Sequence, residues 1–164
     1  MDAASDPSVT EVVVQAGAQL GKTEVLLNAI GFHIAHDPAP ILVVQPTGHK
    51  GMAETFSKDR LAPMLRDTPC LKDKVQDPKK RDGGNTTLQK NFPGGRISMI
   101  GANSPAQLAS RPIRIVLLDE TDRFPASSGS EGDPIELARK RSATFWNRKI
   151  LMVSTPTNKG SSII

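Results

Sequence analysis

Lys22 and Thr23 close a short run of small and polar residues whose spacing suits the chemistry of phosphate groups. The run is Ala16-Gly17-Ala18-Gln19-Leu20-Gly21-Lys22-Thr23; a β-branched apolar stretch precedes it, and apolar residues at helical spacing follow it. In such a strand–loop–helix unit, successive backbone N–H groups can surround an anion at the helix N-terminus. Lys22 would then reach the β- and γ-phosphates of a nucleoside triphosphate, and the Thr23 hydroxyl would bind Mg²⁺. The sequence thus predicts that residues 16–23 form a nucleotide-binding loop.

This loop departs from the usual Walker A pattern at its first position. The pattern opens with Gly five residues before the Gly-Lys pair, and Ala16 occupies that place. We expect the adjacent Gly17 to supply the backbone freedom that Ala16 lacks. The competing interpretation of the motif is a glycine-containing helix cap with an incidental Lys.

An acidic pair provides the second chemical feature. The apolar run at 113–118 ends in Asp119-Glu120, and side chains at the carboxyl end of a buried strand point into the ligand crevice of an open α/β sheet. Asp119 is predicted to hold Mg²⁺ through water, and Glu120 to orient or deprotonate the attacking water. The pair favours an ATP-hydrolysing motor or helicase over a switch-type GTPase. The alternative is a solvated turn after a core strand, but the two motifs together favour nucleotide hydrolysis.

A third polar segment follows another apolar run. Ser154-Thr155-Pro156-Thr157 comes directly after the strand-like residues 149–153. Its hydroxyl groups, Ser154 and Thr155 first, are predicted to contact the nucleotide and to sense loss of the γ-phosphate. Taken alone, the segment is more typical of an ordinary Ser/Thr/Pro turn, and its position one helix after the Asp119-Glu120 strand favours the functional interpretation.

The fold class follows from apolar strands that alternate with helices. Strands are predicted at Glu11–Gln15, which we expect to be buried, at Ile41–Gln45, and at 113–118 and 149–153. The helices are predicted after the nucleotide-binding loop and at 52–65, 105–109 and 134–146. This alternation predicts one α/β domain over residues 1–164, a P-loop NTPase of the RecA/helicase-like kind, with a mostly parallel sheet and helices on both faces. Residues 86–92 and 96–100 are predicted to add a β-hairpin excursion.

The order of these motifs resembles the ATPase module of the large terminase subunit of lambda-like tailed bacteriophages. The similarity runs from about residue 9 onward and includes the segments at 12–24, 43–47, 108–112, 117–125 and 154–157. The resemblance implies an ATP- and Mg²⁺-dependent motor that drives double-stranded DNA into an empty capsid. By the same resemblance, Lys22 and Thr23 are the phosphate and Mg²⁺ residues, Asp119 is the metal residue, Glu120 is the catalytic carboxylate, and residues 154–157 form the coupling motif. The family pattern also implies that the strand at 150–154 lies between the strands that precede the loop and the acidic pair.

The resemblance carries expectations about partners as well. It implies double-stranded DNA, the small terminase subunit, the capsid portal and a working homo-oligomer, in the host cytoplasm at the viral procapsid and without a membrane. Two other functions remain open at this point. One is a superfamily-two helicase-like ATPase, and the other is a non-hydrolysing fragment that binds nucleotide or DNA.

Two departures from the family pattern affect the mechanism. Many large terminases place an Arg in the loop where Ala18 stands, so an arginine that stabilises the transition state must come from elsewhere. Arg111 is one catalytic candidate and a neighbouring subunit is another, while a surface role for Arg111 is an equal alternative. The family's adenine-contacting segment and its nuclease domain have no counterpart in residues 1–164, so we expect no nuclease activity.

Composition and charge narrow the partners. A net charge of +4 and a pI near 9.4 favour a polyanionic partner, and the sparse aromatic residues favour a duplex backbone over stacked single strands. The basic residues form two groups, which are Lys72, Lys74, Lys79, Lys80, Arg81 and Lys90, and Arg139, Lys140, Arg141, Arg148 and Lys149. The alternative for both groups is a solvated face.

The remaining reactive side chains suggest no further chemistry. The single cysteine, Cys70, excludes an internal disulfide and is expected to be a small packing residue in a reducing compartment. His33 and His36 are expected to be solvated at a helix end, and neither they nor His49 are predicted to bind metal. The apolar runs are too short to span a bilayer, and no leader-like segment opens the chain, so a cytoplasmic location is expected.

Overall fold

The computed structural model describes residues 2–75, 84–108, 111–157 and 162, and at its centre lies a six-stranded sheet. The strand order is β1-β6-β5-β2-β4-β3. Five strands are parallel, and β3 is antiparallel to β4. The strands are β1 Glu11–Gln15, β2 Ile41–Gln45, β3 Gln89–Phe92, β4 Gly95–Gly101, β5 Ile115–Asp119 and β6 Lys149–Ser154. The predicted α/β fold with a mostly parallel sheet is confirmed.

Helices cover both faces of this sheet. They are α1 Asp2–Ser5, α2 Lys22–Ala35, α3 Met52–Thr55, α4 Ala62–Asp67, α5 Pro105–Leu108 and α6 Pro134–Ser142, with a π-helical segment Phe56–Leu61 and a 3₁₀ turn Thr121–Arg123. On one face, α2 and the α3–α4 region bury residues such as Ile30 and Leu61 against the sheet. On the other face, α5 and α6 bury Leu108 and Ile135 against it. The sheet therefore has two separate apolar layers, as parallel sheets require.

The position of β6 fixes the relation between the candidate motifs. β6 pairs with β1 on one side and with β5 on the other, in parallel register. The strand order expected from the family resemblance is therefore confirmed. Because all three strands run in the same direction, the segments that follow them meet at one edge of the sheet.

The expectation that β1 is a buried strand is wrong. Among the described residues β1 pairs with β6 alone, and its side chains alternate between exposed and half-buried. Val13 is 50% exposed. A β-branched run predicts a strand, but it does not show whether the strand lies at the edge or in the middle of a sheet.

Two helix predictions need correction in their extent. The helix predicted at 52–65 is interrupted by the π-helical segment, although Phe56, Leu61 and Leu65 are buried as expected. The helix predicted at 134–146 begins at Pro134, where the Asp133 side chain caps it, but it ends at Ser142. Shorter turns replace it, with the Phe145 N–H donating to the Ser142 carbonyl at 3.0 Å. The β-branched, aromatic and amide residues at 144–147 are weak helix formers, which accounts for the early end.

The predicted β-hairpin is present as β3 and β4. The turn between them passes through Gly94, whose φ of 82° favours glycine. β3 begins at Gln89, three residues later than the predicted start at 86.

Two side chains lie in surroundings that differ from the expected ones. Cys70 is exposed and does not fill a packing role. His33 is buried at the end of α2, where its Nδ1 lies 3.4 Å from Asp37 Oδ2. No helix in the described part of the chain is long and apolar enough to cross a bilayer.

Candidate active site

The loop between β1 and α2 has the conformation of an anion cradle. The Ala16 N–H donates to the Ser154 carbonyl at 3.2 Å, and α2 then begins at Lys22. Within the described structure, no hydrogen bond is donated by the backbone N–H groups of residues 17–21. These donors are therefore available to phosphate oxygens.

Left-handed backbone in this loop occurs at two positions, Gln19 with φ 61° and Gly21 with φ 76°. The expectation that Gly17 supplies the backbone freedom is therefore wrong, because Gly17 is not among the residues with positive φ. The left-handed conformation is needed at Gln19 and Gly21, directly before the helix, and the pattern of glycines alone did not indicate this.

Lys22 is buried, and its Nζ donates to the Gly17 carbonyl at 2.8 Å. This bond holds the ammonium group against the loop. Thr23 follows in the first turn of α2 and is half-buried. The two predicted phosphate and Mg²⁺ residues thus lie at the same helix N-terminus.

Asp119 ends β5 and is buried at 4% exposure. Its Oδ2 accepts a hydrogen bond of 2.9 Å from Gln45 Nε2, while Oδ1 is buried and has no hydrogen-bond partner among the described residues. Burial raises the pKa of Asp119, and the neighbouring Glu120 charge raises it further. The hydrogen bond from Gln45 and the positive charge of Lys22 lower the pKa of Asp119 and so act against this rise. A buried carboxylate oxygen without a donor is the kind of ligand that a hard cation takes, so the site fits Mg²⁺.

Glu120 has an unusual backbone conformation, with φ 54° and ψ 48° in the left-handed region. Its N–H donates to the Val153 carbonyl at 2.8 Å, and its carboxylate lies 3.6 Å from Arg123 Nε. A residue other than glycine in this region costs of order 1–3 kcal/mol, and such residues cluster at active sites. The strained backbone directs the Glu120 side chain away from the path of β5.

The segment after β6 lies between the loop and the acidic pair. Ser154 Oγ accepts a hydrogen bond of 3.1 Å from the Asp122 N–H. Asp122 Oδ2 in turn accepts bonds from the Thr157 N–H at 2.9 Å and from Ser162 Oγ at 2.6 Å. The hydroxyl of Ser154 thus contacts the acidic segment, while Thr155 is half-buried beside it. These contacts tie the predicted coupling segment to the residues that follow Glu120.

The structure brings Lys22, Asp119 and Glu120 together at the carboxyl edge of the sheet. β1 and β5 are separated only by β6, which places them about 10 Å apart. The charge of Lys22 is close enough to influence the protonation of Asp119. Four predicted features, namely the loop, the lysine, the acidic pair and the segment after β6, therefore lie at the same edge of the sheet.

Arg111 does not lie at this edge of the sheet. It lies four positions before the start of β5 and lines a cavity together with Pro40 and Gly95, which mark the amino ends of β2 and β4. A five-residue strand spans roughly 17 Å, so Arg111 and Asp119 lie at opposite ends of β5. This position does not support a role for Arg111 toward a nucleotide bound by the same subunit.

Sequence reasoning missed Gln45 and Asp122. Gln45 is a polar residue at the end of the fully buried strand β2, and its contact with Asp119 follows from the pairing of β2 with β5. A polar side chain that closes an apolar run beside an acidic one was the available signal. No local pattern marked the contact of Asp122 with the segment after β6.

Several basic residues that suggested a polyanion-binding face are engaged within the protein. Lys90 and Lys149 are buried, and Lys149 Nζ donates to the carbonyls of Asp6 and Val9. Arg139 pairs with Glu11 and Glu136. Lys79, Lys80 and Arg81 of the first basic group lie outside the described residues, as do residues 109–110 of the motif at 108–112.

Solved structures with the same fold include large terminases of bacteriophages. The ATPase domain of the Thermus phage P74-26 large terminase superposes with a TM-score of 0.59 at 18% identity, over 91% of this chain and 60% of that one. The large terminase of the thermophilic bacteriophage D6E gives a TM-score of 0.65 at 16% identity, over 93% of this chain and 36% of that one. These similarities establish the P-loop NTPase fold.

Sequence comparisons identify the family. The large terminase subunit of Escherichia phage lambda is 29% identical over 98% of this chain and 25% of its own length. That of Enterobacteria phage P21 is 30% identical over 88% of this chain and 22% of its own length. The chain thus spans about a quarter of the length of the curated relatives it matches. None of these comparisons supports the alternative of a superfamily-two helicase. The model of the family described as phage terminase large subunit gpA, ATPase domain, matches residues 1–164, and the chain belongs to this family.

Proposed function

We propose that this chain is the ATP-hydrolysing motor module of a terminase large subunit that drives double-stranded DNA into a viral capsid. The observation that carries the proposal is the buried Asp119 Oδ1, which lacks a hydrogen-bond partner among the described residues. It lies at the edge of the sheet where the charges of Lys22 and Glu120 act on Asp119. The family membership and the terminase names of the relatives support the biological role.

The nucleotide is bound by residues 16–23 in this proposal. The free N–H groups of residues 17–21 contact the phosphate oxygens, and Lys22 exchanges its bond to the Gly17 carbonyl for the β- and γ-phosphates. A D6E large terminase structure of the same fold is a complex with ADP, which supports nucleotide binding by this fold. Ser154 and Thr155 complete the nucleotide contacts from the neighbouring strand.

Asp119 and Thr23 are the proposed holders of Mg²⁺. The bound ion supplies positive charge that offsets the charge of the phosphates. Asp119 contributes its buried Oδ1, while Gln45 keeps the other carboxylate oxygen in place. Gln45 is thus a positioning residue that acts through Asp119.

Glu120 is the proposed general base. Its carboxylate orients a water molecule in line with the γ-phosphate and accepts a proton as the water oxygen bonds to phosphorus. The bond between the γ-phosphorus and the bridging oxygen breaks, and ADP leaves with the electron pair. Lys22 and the loop N–H groups stabilise the charge that develops on the phosphate oxygens.

The contacts of Ser154 and Asp122 suggest how the site communicates with the rest of the motor. Asp122 is bonded to Ser154 on one side and to Thr157 on the other. A change at the γ-phosphate that moves Glu120 would therefore also move the segment after β6. We propose this segment as the coupling element.

The wider assembly belongs to the same proposal. An arginine that stabilises the transition state comes from a neighbouring subunit of a homo-oligomer, and Arg111 is a candidate for that role toward the neighbour's nucleotide. The proposed partners are double-stranded DNA, the small terminase subunit and the capsid portal, in the host cytoplasm. Residues 1–164 are proposed to act as one ATPase domain.

The test compares two glutamate substitutions for ATP binding and for phosphate release, with and without duplex DNA. Glu120→Gln keeps the size of the side chain but removes the base, so ATP binding should persist while turnover falls by roughly 10²–10⁴. Glu131→Gln, at an exposed loop residue, is the matched control and should retain full turnover. Unchanged turnover in Glu120→Gln would remove Glu120 from the role, and ATP binding by the parent chain without phosphate release would favour a non-hydrolysing fragment.

A further inference from the structure

A second cavity lies at the opposite end of the sheet from the nucleotide-binding loop. It has a volume of about 680 Å³ and is bounded by the amino ends of β2 and β4, by α5 and by the segment before β5. Pro40 directly precedes β2, and Gly95 is the first residue of β4. The cavity lies at the amino ends of the parallel strands, whereas Lys22 lies at their carboxyl ends. The length of the strands therefore separates the two sites.

Three arginines line this cavity: Arg96 from β4, Arg111 from the segment before β5, and Arg141 from the last turn of α6. No Asp or Glu belongs to its described lining. None of the three forms an ion pair within the described structure, whereas Arg139, two residues before Arg141 on α6, pairs with two glutamates. The cavity therefore gathers positive charge from three separate elements without a compensating acid.

One of these arginines has an unmet hydrogen-bonding need. Arg141 Nε is buried and has no partner among the described residues. A buried charged donor without an acceptor is costly. Arg96 is held differently, because its Nε donates to Asn91 Oδ1 at 2.9 Å, which fixes the guanidinium on the cavity wall. Arg96 is thus held in place by a hydrogen bond, and Arg141 has a donor without an acceptor among the described residues.

The rest of the lining combines apolar and neutral polar groups. Leu42, Ile100, Leu108 and Ile113 form an apolar floor that belongs to the core on this face. Ser98 and Gln89 add hydroxyl and amide groups at the wall. The volume lies within the range of about 300–1,000 Å³ that is usual for small-ligand sites.

We propose that this cavity binds a phosphorylated nucleoside, either a free nucleotide or the 5′-phosphorylated end of a DNA strand. Three guanidinium groups match the two to three negative charges of a terminal phosphate or diphosphate and would overcompensate a single carboxylate. The apolar floor and the amide and hydroxyl groups suit a sugar and base. The cavity volume suits one nucleotide and is too small for a double helix. The inference does not rest on the proposed motor function, because the cavity shares no residue with the nucleotide-binding loop or the acidic pair.

The experiment uses the ¹⁵N-labelled 164-residue chain and follows the Nε–H resonances of Arg96, Arg111 and Arg141 by NMR. The probes are ADP, a 5′-phosphorylated trinucleotide, the same trinucleotide without the phosphate, and a tri-glutamate peptide. A phosphorylated probe should shift these Nε–H signals in a saturable way. The resonance of Lys22 reports separately on the nucleotide-binding loop, so failure at one site is distinguishable from failure at the other.

Variants assign the binding to the arginines. Arg141→Gln and Arg96→Gln should each weaken the cavity affinity at least about tenfold, as expected for loss of a charged hydrogen bond. Lys140→Gln is the matched control, since Lys140 is exposed on the same helix and does not line the cavity. The affinity of the Lys140→Gln cavity for the phosphorylated probes should stay within about twofold of that of the parent chain.

The outcomes separate the ligand sources and the alternatives. Saturation by ADP alone identifies a free nucleotide, and saturation only by the phosphorylated trinucleotide identifies a DNA end. No saturable shift of the Nε–H signals with either phosphorylated probe overturns the proposal. So does binding that the two arginine variants leave unchanged, or tighter binding of tri-glutamate than of both phosphorylated probes. Thermal unfolding of each variant establishes that the cavity is still folded.

Discussion

Gln45 Nε2 donates a hydrogen bond of 2.9 Å to Asp119 Oδ2, and both side chains are buried at the ends of the paired strands β2 and β5. This bond occupies one oxygen of the carboxylate and leaves Oδ1 as the oxygen available to a cation. Gln45 therefore fixes the orientation of the Asp119 carboxylate, although it has no direct part in the chemistry.

Gln45→Met removes the donor while keeping a similar volume. The buried Asp119 carboxylate then loses a hydrogen bond, which should lower the free energy of unfolding by roughly 1–3 kcal/mol. We also expect the Mg²⁺ concentration for half-maximal ATP turnover to rise, because outer hydrogen bonds orient metal ligands. Urea unfolding and a Mg²⁺ titration measure the two effects. Gln89→Met, at an exposed position of β3, should change neither, and an unaltered Mg²⁺ requirement in Gln45→Met would contradict the positioning role.

Glu120 combines a catalytic candidate with a strained backbone, and two substitutions separate these properties. Glu120→Gly and Glu120→Ala both remove the carboxylate, so both should abolish turnover. Only glycine adopts φ 54° without strain, so Glu120→Gly should be more stable than Glu120→Ala by about 1 kcal/mol. Chemical denaturation of the two variants provides the measurement. Equal stabilities would show that the left-handed conformation stores no strain at this position.

The two glycines of the nucleotide-binding loop should respond differently to alanine. Gly21 has φ 76°, where a Cβ is strained by about 1–2 kcal/mol, so Gly21→Ala should lower the stability by that amount. An added Cβ at Gly17 would meet Leu20 Cδ1 at 3.4 Å, which is ordinary contact, so Gly17→Ala should leave the stability nearly unchanged. Thermal unfolding of the two variants tests the difference. The reverse order would restore the role first expected for Gly17.

The sequence predicted the parts of the fold that depend on local pattern. Apolar runs located β2, β5 and β6, and the Pro-Gly turn located the hairpin. The order of the strands came from the family resemblance, because periodicity contains no information about which strands pair. For the same reason, the edge position of β1 and the exposure of Val13 were not foreseen.

The candidate site shows the same division. Lys22, Asp119 and Glu120 were found because each closes a recognisable local motif, and the parallel sheet then brings them together. Gln45 was missed because its role arises from strand pairing across 74 positions of sequence. Arg111 was favoured for its closeness to Asp119 along the chain, but an extended strand converts that closeness into opposite ends of the sheet.

His33 makes the stability dependent on pH. Burial is the main cause that lowers the pKa of His33 below its usual 6.5, and the Asp37 carbonyl and carboxylate act in the opposite direction. Arg114, which lies 2.7 Å from Asp37 Oδ2, adds to the lowering. The unfolded chain therefore takes up a proton near pH 6.5 while the folded protein still keeps His33 neutral.

The sign of the effect follows from this difference. The stability associated with neutral His33 is fully present above pH 6.5 and is lost as the pH falls from 6.5 toward the lowered pKa. Most carboxylates remain ionised in this window, so the histidine dominates the slope. Urea unfolding at about pH 7.5 and about pH 5.5 should show a smaller loss of stability on acidification in His33→Gln than in the parent chain. His36→Gln, at an exposed position one turn later, should lose as much stability on acidification as the parent chain. If all three proteins lost the same stability between the two pH values, His33 would be excluded as the source of the pH dependence.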